Sequence, residues 1–264
     1  MGEKILSICI PSLFPRKKQL NRLLLDLEKQ IKINNLEEMV EILVCVDNGE
    51  ITLGEKSNKL VNKATGNYIT GIGDDDIVKP TYVKDIYDIA KNKKYDQITF
   101  IKECVEGKKI IPMEFSKKYK NYIIFLPFNI EIHSLKFLSN KSDKLIIYRN
   151  KRMLFENNVV VGLVFIIFKK FIKKIACYSW PTMVVKKDIV DKVKFTDLKS
   201  GQDMEWAINL SKKKLIKKEY NINKPLYVYN FNKKKSSRFN NNNTIITDIN
   251  HTIKPIDKKI IKFI

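Results

Sequence analysis

Three groups of carboxylates in this 264-residue chain have the spacing to do chemistry. Asp74-Asp75-Asp76 follows Gly71-Ile72-Gly73, Asp47 closes the apolar run Glu41 to Val46, and Asp203 and Glu205 sit in Gly201-Gln202-Asp203-Met204-Glu205-Trp206. Three consecutive carboxylates repel one another, and a divalent cation is the simplest neutraliser. In an extended turn Asp74 and Asp76 point to one side and Asp75 away from it. The alternative is a solvated acidic turn or a cap before Pro80. Asp203 stands at a helix start, where an aspartate can be an N-cap. Glu205 lies two residues further round the helix and is turned well away from Asp203. Carboxylates together with a cation site are equipment for taking a proton from a hydroxyl while a charged leaving group departs.

Short apolar runs at Ile5–Ile10 and Glu41–Asp47 suit strands buried on both faces of a sheet, the first closed by Pro11. Leu20, Leu23, Leu24, Leu27 and Ile31 recur at helical spacing between them. A short helix at Leu60–Ala64, a strand from Tyr68 to Thr70, a helix after Pro80 and a strand at Gln97–Ile101 continue the alternation. This is a doubly wound α/β beginning, in which ligands bind beyond the carboxyl ends of the strands. Asp47 and the acid triplet stand at such ends. Beyond residue 103 the pattern loosens. Tyr119–Ile132 and Lys144–Arg149 read as short strands or loops, and Val159–Phe168 as a buried strand or helix start. Lys187–Val193 and Asp203–Lys213 read as helices, Leu226–Tyr229 as a strand, and residues 230–244 as a polar, basic, mobile loop.

Ser7-Ile8-Cys9-Ile10-Pro11-Ser12, Glu41 to Gly49, Gly54-Glu55-Lys56-Ser57-Asn58, Ala64 to Ile69 and Asp74-Asp75-Asp76 together resemble, over roughly residues 4 to 90, the ordered motifs of glycosyltransferase family 2. Trp180 to Lys187, Phe195-Thr196-Asp197 and Gly201-Gln202-Asp203 are similar to that family's acceptor-side strand and acidic helix start, with Gln202 where Glu is commoner. The resemblance implies a GT-A type, Rossmann-like α/β sandwich, its mostly parallel central sheet flanked by helices and followed by a basic acceptor-side extension. It implies a nucleotide-sugar donor, probed by Pro11, Ser12 and Asp47 at the base, with Asp47 accepting the base's imino hydrogen bond. Lys56 and Asn58 would lie near base and diphosphate, and Asp74 and Asp75 on the donor. Asp76, with Asp74, would hold Mn²⁺ or Mg²⁺, and Asp203 would be the base of an inverting transfer. Trp180 either stacks on an acceptor sugar beside Glu205 or packs in the core. On this reading residues 1–103 form the nucleotide-sugar-binding half, 104–229 the acceptor-binding and catalytic half of the same domain, and 230–264 a basic flexible loop and C-terminal segment.

Charge divides the chain the same way. The first hundred residues hold 15 basic and 15 acidic side chains and the rest 35 and 14, so the net +21 lies entirely beyond residue 100. An anionic acceptor, or peripheral contact with an anionic membrane through Phe168–Ile175 and Ile253–Ile264, would use that charge; docking of those apolar residues on the protein's own core is the alternative. A basic nucleic-acid-binding protein is a competing class, but no recognisable nucleic-acid motif is present and no specific nucleic acid is expected. A nucleotidyltransferase would need a Gly-rich phosphate loop that Pro11-Ser12-Leu13-Phe14-Pro15-Arg16 does not provide. No apolar run reaches the roughly 20 residues of a membrane span, and the N-terminus lacks a signal-peptide layout, so a cytoplasmic protein is expected. Four scattered cysteines read as reduced core thiols, and His133 and His251 are too isolated to be ligands.

Overall fold

The computed structural model describes residues 3–119, 122–125, 131–134, 145–149, 151–155, 172–198, 201–230, 257 and 259–264. Strand β1 (Leu6–Leu13), a 3-10 turn (Phe14–Arg16), helix α1 (Lys17–Ile33), β2 (Val40–Asp47), α2 (Leu53–Lys63) and β3 (Tyr68–Gly71) come first. A two-residue β4 (Ile77–Val78), α3 (Tyr82–Ala90) and β5 (Gln97–Glu106) follow. Then come β6 (Lys109–Phe115), β7 (Tyr122–Phe125), β8 (Glu131–Ser134), β9 (Leu145–Arg149), β10 (Lys151–Phe155), β11 (Lys174–Cys177) and β12 (Val184–Lys186). Helices α4 (Lys187–Val190) and α5 (Gln202–Lys213) and strands β13 (Glu219–Asn230) and β14 (Ile261–Phe263) complete the order.

The strands run β10-β9-β8-β7-β11-β6-β5-β12-β3-β1-β2-β14, with β13 beside β5 and β4. Among the described pairs, parallel pairing joins β3, β1, β2 and β14, and also β5 to β13 and β6 to β11; the others are antiparallel. The fold is therefore an α/β sandwich as expected, but its sheet is mixed rather than mostly parallel, antiparallel pairs outnumbering parallel ones among the described strands. Its parallel core is the part that carries the acids.

Alternate residues of β1 and β2 explain why apolar side chains stand at adjacent positions along each strand. Ile8, Ile10, Ile42 and Val44 face one cluster with Leu20, Leu24 and Leu27 of α1 and Val83 and Ile86 of α3. Cys9, Leu43 and Cys45 face another, with Leu60 of α2 and Trp206 and Leu210 of α5. Successive side chains of a strand point to opposite faces, so a sheet covered on both sides needs apolar residues at every position. Each such side chain contributes about 1.5–3 kcal/mol by leaving water.

Three expected element bounds change here. Strand β1 runs through Pro11 to Leu13, because β3 pairs only Leu6–Cys9 and the proline lies where that neighbour has ended. Helix α2 starts at Leu53, where Thr52 accepts a hydrogen bond from Glu55 N at 3.1 Å, a cap that supports the turn ahead of Leu60. Strand β13 begins at Glu219 and absorbs Pro225 through register shifts. In the described part of Ile253–Ile264, Ile260 and Ile261 are buried, β14 pairs β2 in parallel and Lys262 Nζ meets Glu41 at 2.8 Å, while Phe263 and Ile264 are exposed. Ile172 and Ile175 of the other basic segment are buried, and β11 begins at Lys174. Val159–Phe168 and, of residues 230–244, all but Asn230 lie outside the described residues.

Candidate functional site

The carboxyl ends of β1, β2 and β3 bring Pro11, Ser12, Asp47 and the acid triplet together. Asp74 is 2% exposed and both of its oxygens are engaged: Oδ2 accepts from Ser12 Oγ at 2.7 Å, and Oδ1 pairs with Arg16 Nη1 at 2.6 Å. Arg16 spans to Asp75 through Nη2 at 3.3 Å. Arg22, one turn into α1, donates to the carbonyl oxygens of Asp76 at 2.8 Å and Asp75 at 3.3 Å. Asp76 is buried, and its Oδ2 accepts from the Tyr227 hydroxyl of β13, which itself accepts from Gly73 N at 3.1 Å. The loop is thus held from three sides.

Electrostatics follow from that packing. Burial pushes the Asp74 carboxyl above its ordinary range, against the opposing pull of Arg16 and Ser12. Burial works to lower Arg16, but Asp74, Asp75 and Asp76 outweigh it and hold the guanidinium above its ordinary value. Burial also lifts the Tyr227 phenol, and the Asp76 charge beside it lifts it further, so Tyr227 remains a hydrogen-bond donor. Behind Tyr227, the buried Lys102 ammonium lies 4.9 Å from that ring's centre and 4.7 Å from that of Tyr229.

Lys56 turns inward. It is 3% exposed, donates to Ser12 O at 2.7 Å and is ion-paired with Asp47, whose Oδ2 accepts from Ile51 N at 2.9 Å. Lys56 and Asp47 therefore tie the ends of β1 and β2 together. Asn58 has both amide atoms on one backbone unit, donating to Phe195 O at 2.8 Å and accepting from Phe195 N at 3.0 Å. That arrangement makes it a tether between α2 and the chain leading to Asp203.

Further tethers act on the same chain. Thr52 Oγ1 donates to Asp197, Gly54 N meets Leu198 O at 3.4 Å, and a Cβ at Gly54 would collide with Thr196 O. Only glycine permits so close a backbone approach. Phe195 stacks on Trp206, rings 5.5 Å apart and 10° from parallel. Residues 195–198 are thereby fastened to α2, which follows the carboxyl end of β2, and α5 begins four residues beyond the last of them. Gly201, at φ 85°, makes the left-handed turn into α5. Asp203 lies in the first turn, half-buried, with Oδ1 3.2 Å from Met204 N. It does not cap the helix from outside, since Gly201 holds that position. Glu205 Oε2, Gln202 Oε1 and Trp206 Nε1 are buried without hydrogen-bond partners around this turn.

Trp180 packs against both apolar clusters, and the next residue, Pro181, accepts from Gly71 N at 2.8 Å through its carbonyl oxygen. The 180–186 segment is thus pinned beside the acid loop, with β12 antiparallel to β3. Arg16, Arg22, Tyr227 and Lys102 were not among the expected site residues. An unmatched arginine just past a strand end, opposite three acids, was the available signal for Arg16.

The cation implied by the resemblance can be tested on these donors. Among the described residues no three His, Cys, Asp or Glu side chains gather as a ligand group. Asp74 is fully engaged and Asp76 is 4% exposed, whereas the side chain of Asp75 is 34% exposed. Of the three, Asp75 is the one whose side chain reaches the surface, where a hard cation held by one carboxylate plus substrate phosphates would meet it.

No protein-family model matches the chain, and no curated protein matches it. Solved structures of S. aureus TarS do. The 1–349 fragment matches at a TM-score of 0.52 and 13% identity over 86% of this chain. The same fragment in complex with UDP-GlcNAc, and in complex with UDP, matches at 0.53 in each case. The chain spans 60% of that fragment's length. This similarity shows a shared fold. Among the described residues no helix is long and apolar enough to cross a membrane.

Proposed function

We propose that the protein is an inverting glycosyltransferase that moves a sugar from a nucleoside-diphosphate donor, a UDP-sugar, to a hydroxyl of a glycan, lipid-linked or protein acceptor. The observation that supports this reading is the presence of two separate acid motifs. One lies on the loop after β3, the other on a helix start that follows a segment, residues 195–198, tethered through Asn58, Thr52 and Gly54 to α2. A donor-binding module alone would need only the first. The likeness to a fold crystallised with UDP-GlcNAc and with UDP supports the same choice of donor class.

In this reading Ser12, Pro11 and the Asp47–Lys56 pair form the nucleotide floor. Asp203 accepts the proton of the acceptor hydroxyl as its oxygen attacks the anomeric carbon; the carbon–oxygen bond to the diphosphate breaks on the opposite side, and the configuration inverts. Holding donor and acceptor in one cleft replaces a bimolecular encounter by an effectively unimolecular step. Mn²⁺ or Mg²⁺, held by Asp75, would supply neutralisation of the departing diphosphate's charge. The basic character of the acceptor half suits an anionic acceptor. Hydrolysis screened across UDP-, GDP- and TDP-sugars with Mn²⁺ present tests the proposal: release of UDP from at least one UDP-sugar is expected, and inertness toward all three classes would refute it.

A further inference from the structure

The acid triplet already contains a cation, and it belongs to the protein. Arg16 forks across Asp74 and Asp75 at 2.6 and 3.3 Å, in a position that the packing of Phe14 and the bond from Ser12 to Asp74 both reinforce. Its charge lies against the one carboxylate, Asp75, that reaches the surface. A guanidinium so placed repels a dication approaching the same carboxylate, and the repulsion is strong in a partly dry setting. A nucleotide diphosphate reverses the balance, because its negative charge can satisfy both cations at once.

We propose that Arg16 is a resident counter-charge that excludes a free divalent cation from the acid triplet and admits it together with a diphosphate. Arg16 acts as a positioning residue: it sets the order and coupling of cation and nucleotide binding. Coupling of this kind is reciprocal, so the nucleotide must tighten the cation by the same factor by which the cation tightens the nucleotide. The inference rests on the donor reading above only for its nucleotide half; the exclusion of free cation stands on the Arg16 geometry alone.

The test is Mn²⁺ binding to the full chain, read from the loss of the free-ion electron paramagnetic resonance signal, with and without UDP. Wild-type protein should bind Mn²⁺ alone weakly and tighten it at least about tenfold when UDP is added. Arg16→Met should bind Mn²⁺ alone about tenfold or more tightly than wild type, while the enhancement by UDP shrinks. Arg16→Lys keeps the charge without the fork and should exclude free Mn²⁺ as wild type does; this variant carries the test if Arg16→Met melts below wild type. A natively folded Arg16→Met that binds Mn²⁺ alone no more tightly than wild type overturns the proposal, as does an Arg16→Lys that binds it more tightly. A wild type that binds no UDP would instead refute the donor reading, leaving the metal-alone comparison intact.

Discussion

The two ends of the same parallel strands bury carboxylates in opposite ways. At the amino end Glu41 of β2 is fully buried and satisfied: it accepts from Ser7 Oγ at 2.8 Å, Thr65 N at 2.7 Å, Thr65 Oγ1 at 2.8 Å and Lys262 Nζ at 2.8 Å. Burial pushes its carboxyl up, but Lys262, Thr65 and Ser7 more than offset this and hold it below the ordinary range. At the carboxyl end burial prevails and Asp74 is raised, although Arg16 and Ser12 oppose it. One end welds β1, β2, β14 and the Thr65 turn together. The other concentrates three acids on a single loop, a costly arrangement that a fold tolerates where a ligand makes use of it.

If that contrast is right, changes at the carboxyl end cost function and changes at the amino end cost stability. The largest functional effect is expected at Asp203→Asn, which should lower transfer by roughly 10² to 10⁴ while leaving UDP affinity and melting temperature at wild-type values. Steady-state turnover beside a UDP titration reads both. Glu41→Ala should remove about 2–3 kcal/mol from denaturant unfolding, because the Ser7 and Thr65 donors lose a buried charged acceptor while half-exposed Lys262 turns to water, with UDP affinity unchanged in the folded fraction. Tyr227→Phe sits between the two ends in kind. It deletes the donor to Asp76 and the acceptor of Gly73 N, and should cost about 1.5–3 kcal/mol in stability together with weaker UDP binding. The smallest effect is in pH dependence. Since Glu41 is held low in the folded state, its contribution is present above the ordinary carboxylate range and is lost as pH falls through its lowered value. Glu41→Gln should therefore flatten the acid limb of the stability–pH curve.

Most of the parallel core was legible from the sequence because its signals are local. Leu20 to Ile31 has helical spacing, and the runs ending at Ile10 and Val46 are apolar on both alternating faces, Ser7 and Glu41 apart, because both sheet faces are covered. The triplet and Asp203 were legible as residue types at element ends. What escaped depends on contacts between distant residues. Tyr227 meets Asp76 across 151 positions, and Asn58 meets Phe195 across 137. A polar residue's partner at such a separation leaves no periodic trace. Strand β14 is three residues long and carries Lys262, so its amphipathic pattern also fits a surface segment. The start of α2 is a different case: Thr52-Leu53-Gly54-Glu55 has the spacing of a capping box, a local signal available in the sequence.

The most direct test of the account is a calorimetric titration of UDP, in Mn²⁺ buffer, into wild type, Asp75→Asn and Asp203→Asn. Saturable binding to one site per wild-type chain is expected, weakened at least about tenfold by Asp75→Asn and unchanged by Asp203→Asn, since only the first touches the donor's diphosphate. A folded wild-type protein that takes up no UDP at millimolar concentration, or equal UDP affinity in all three proteins, would contradict it.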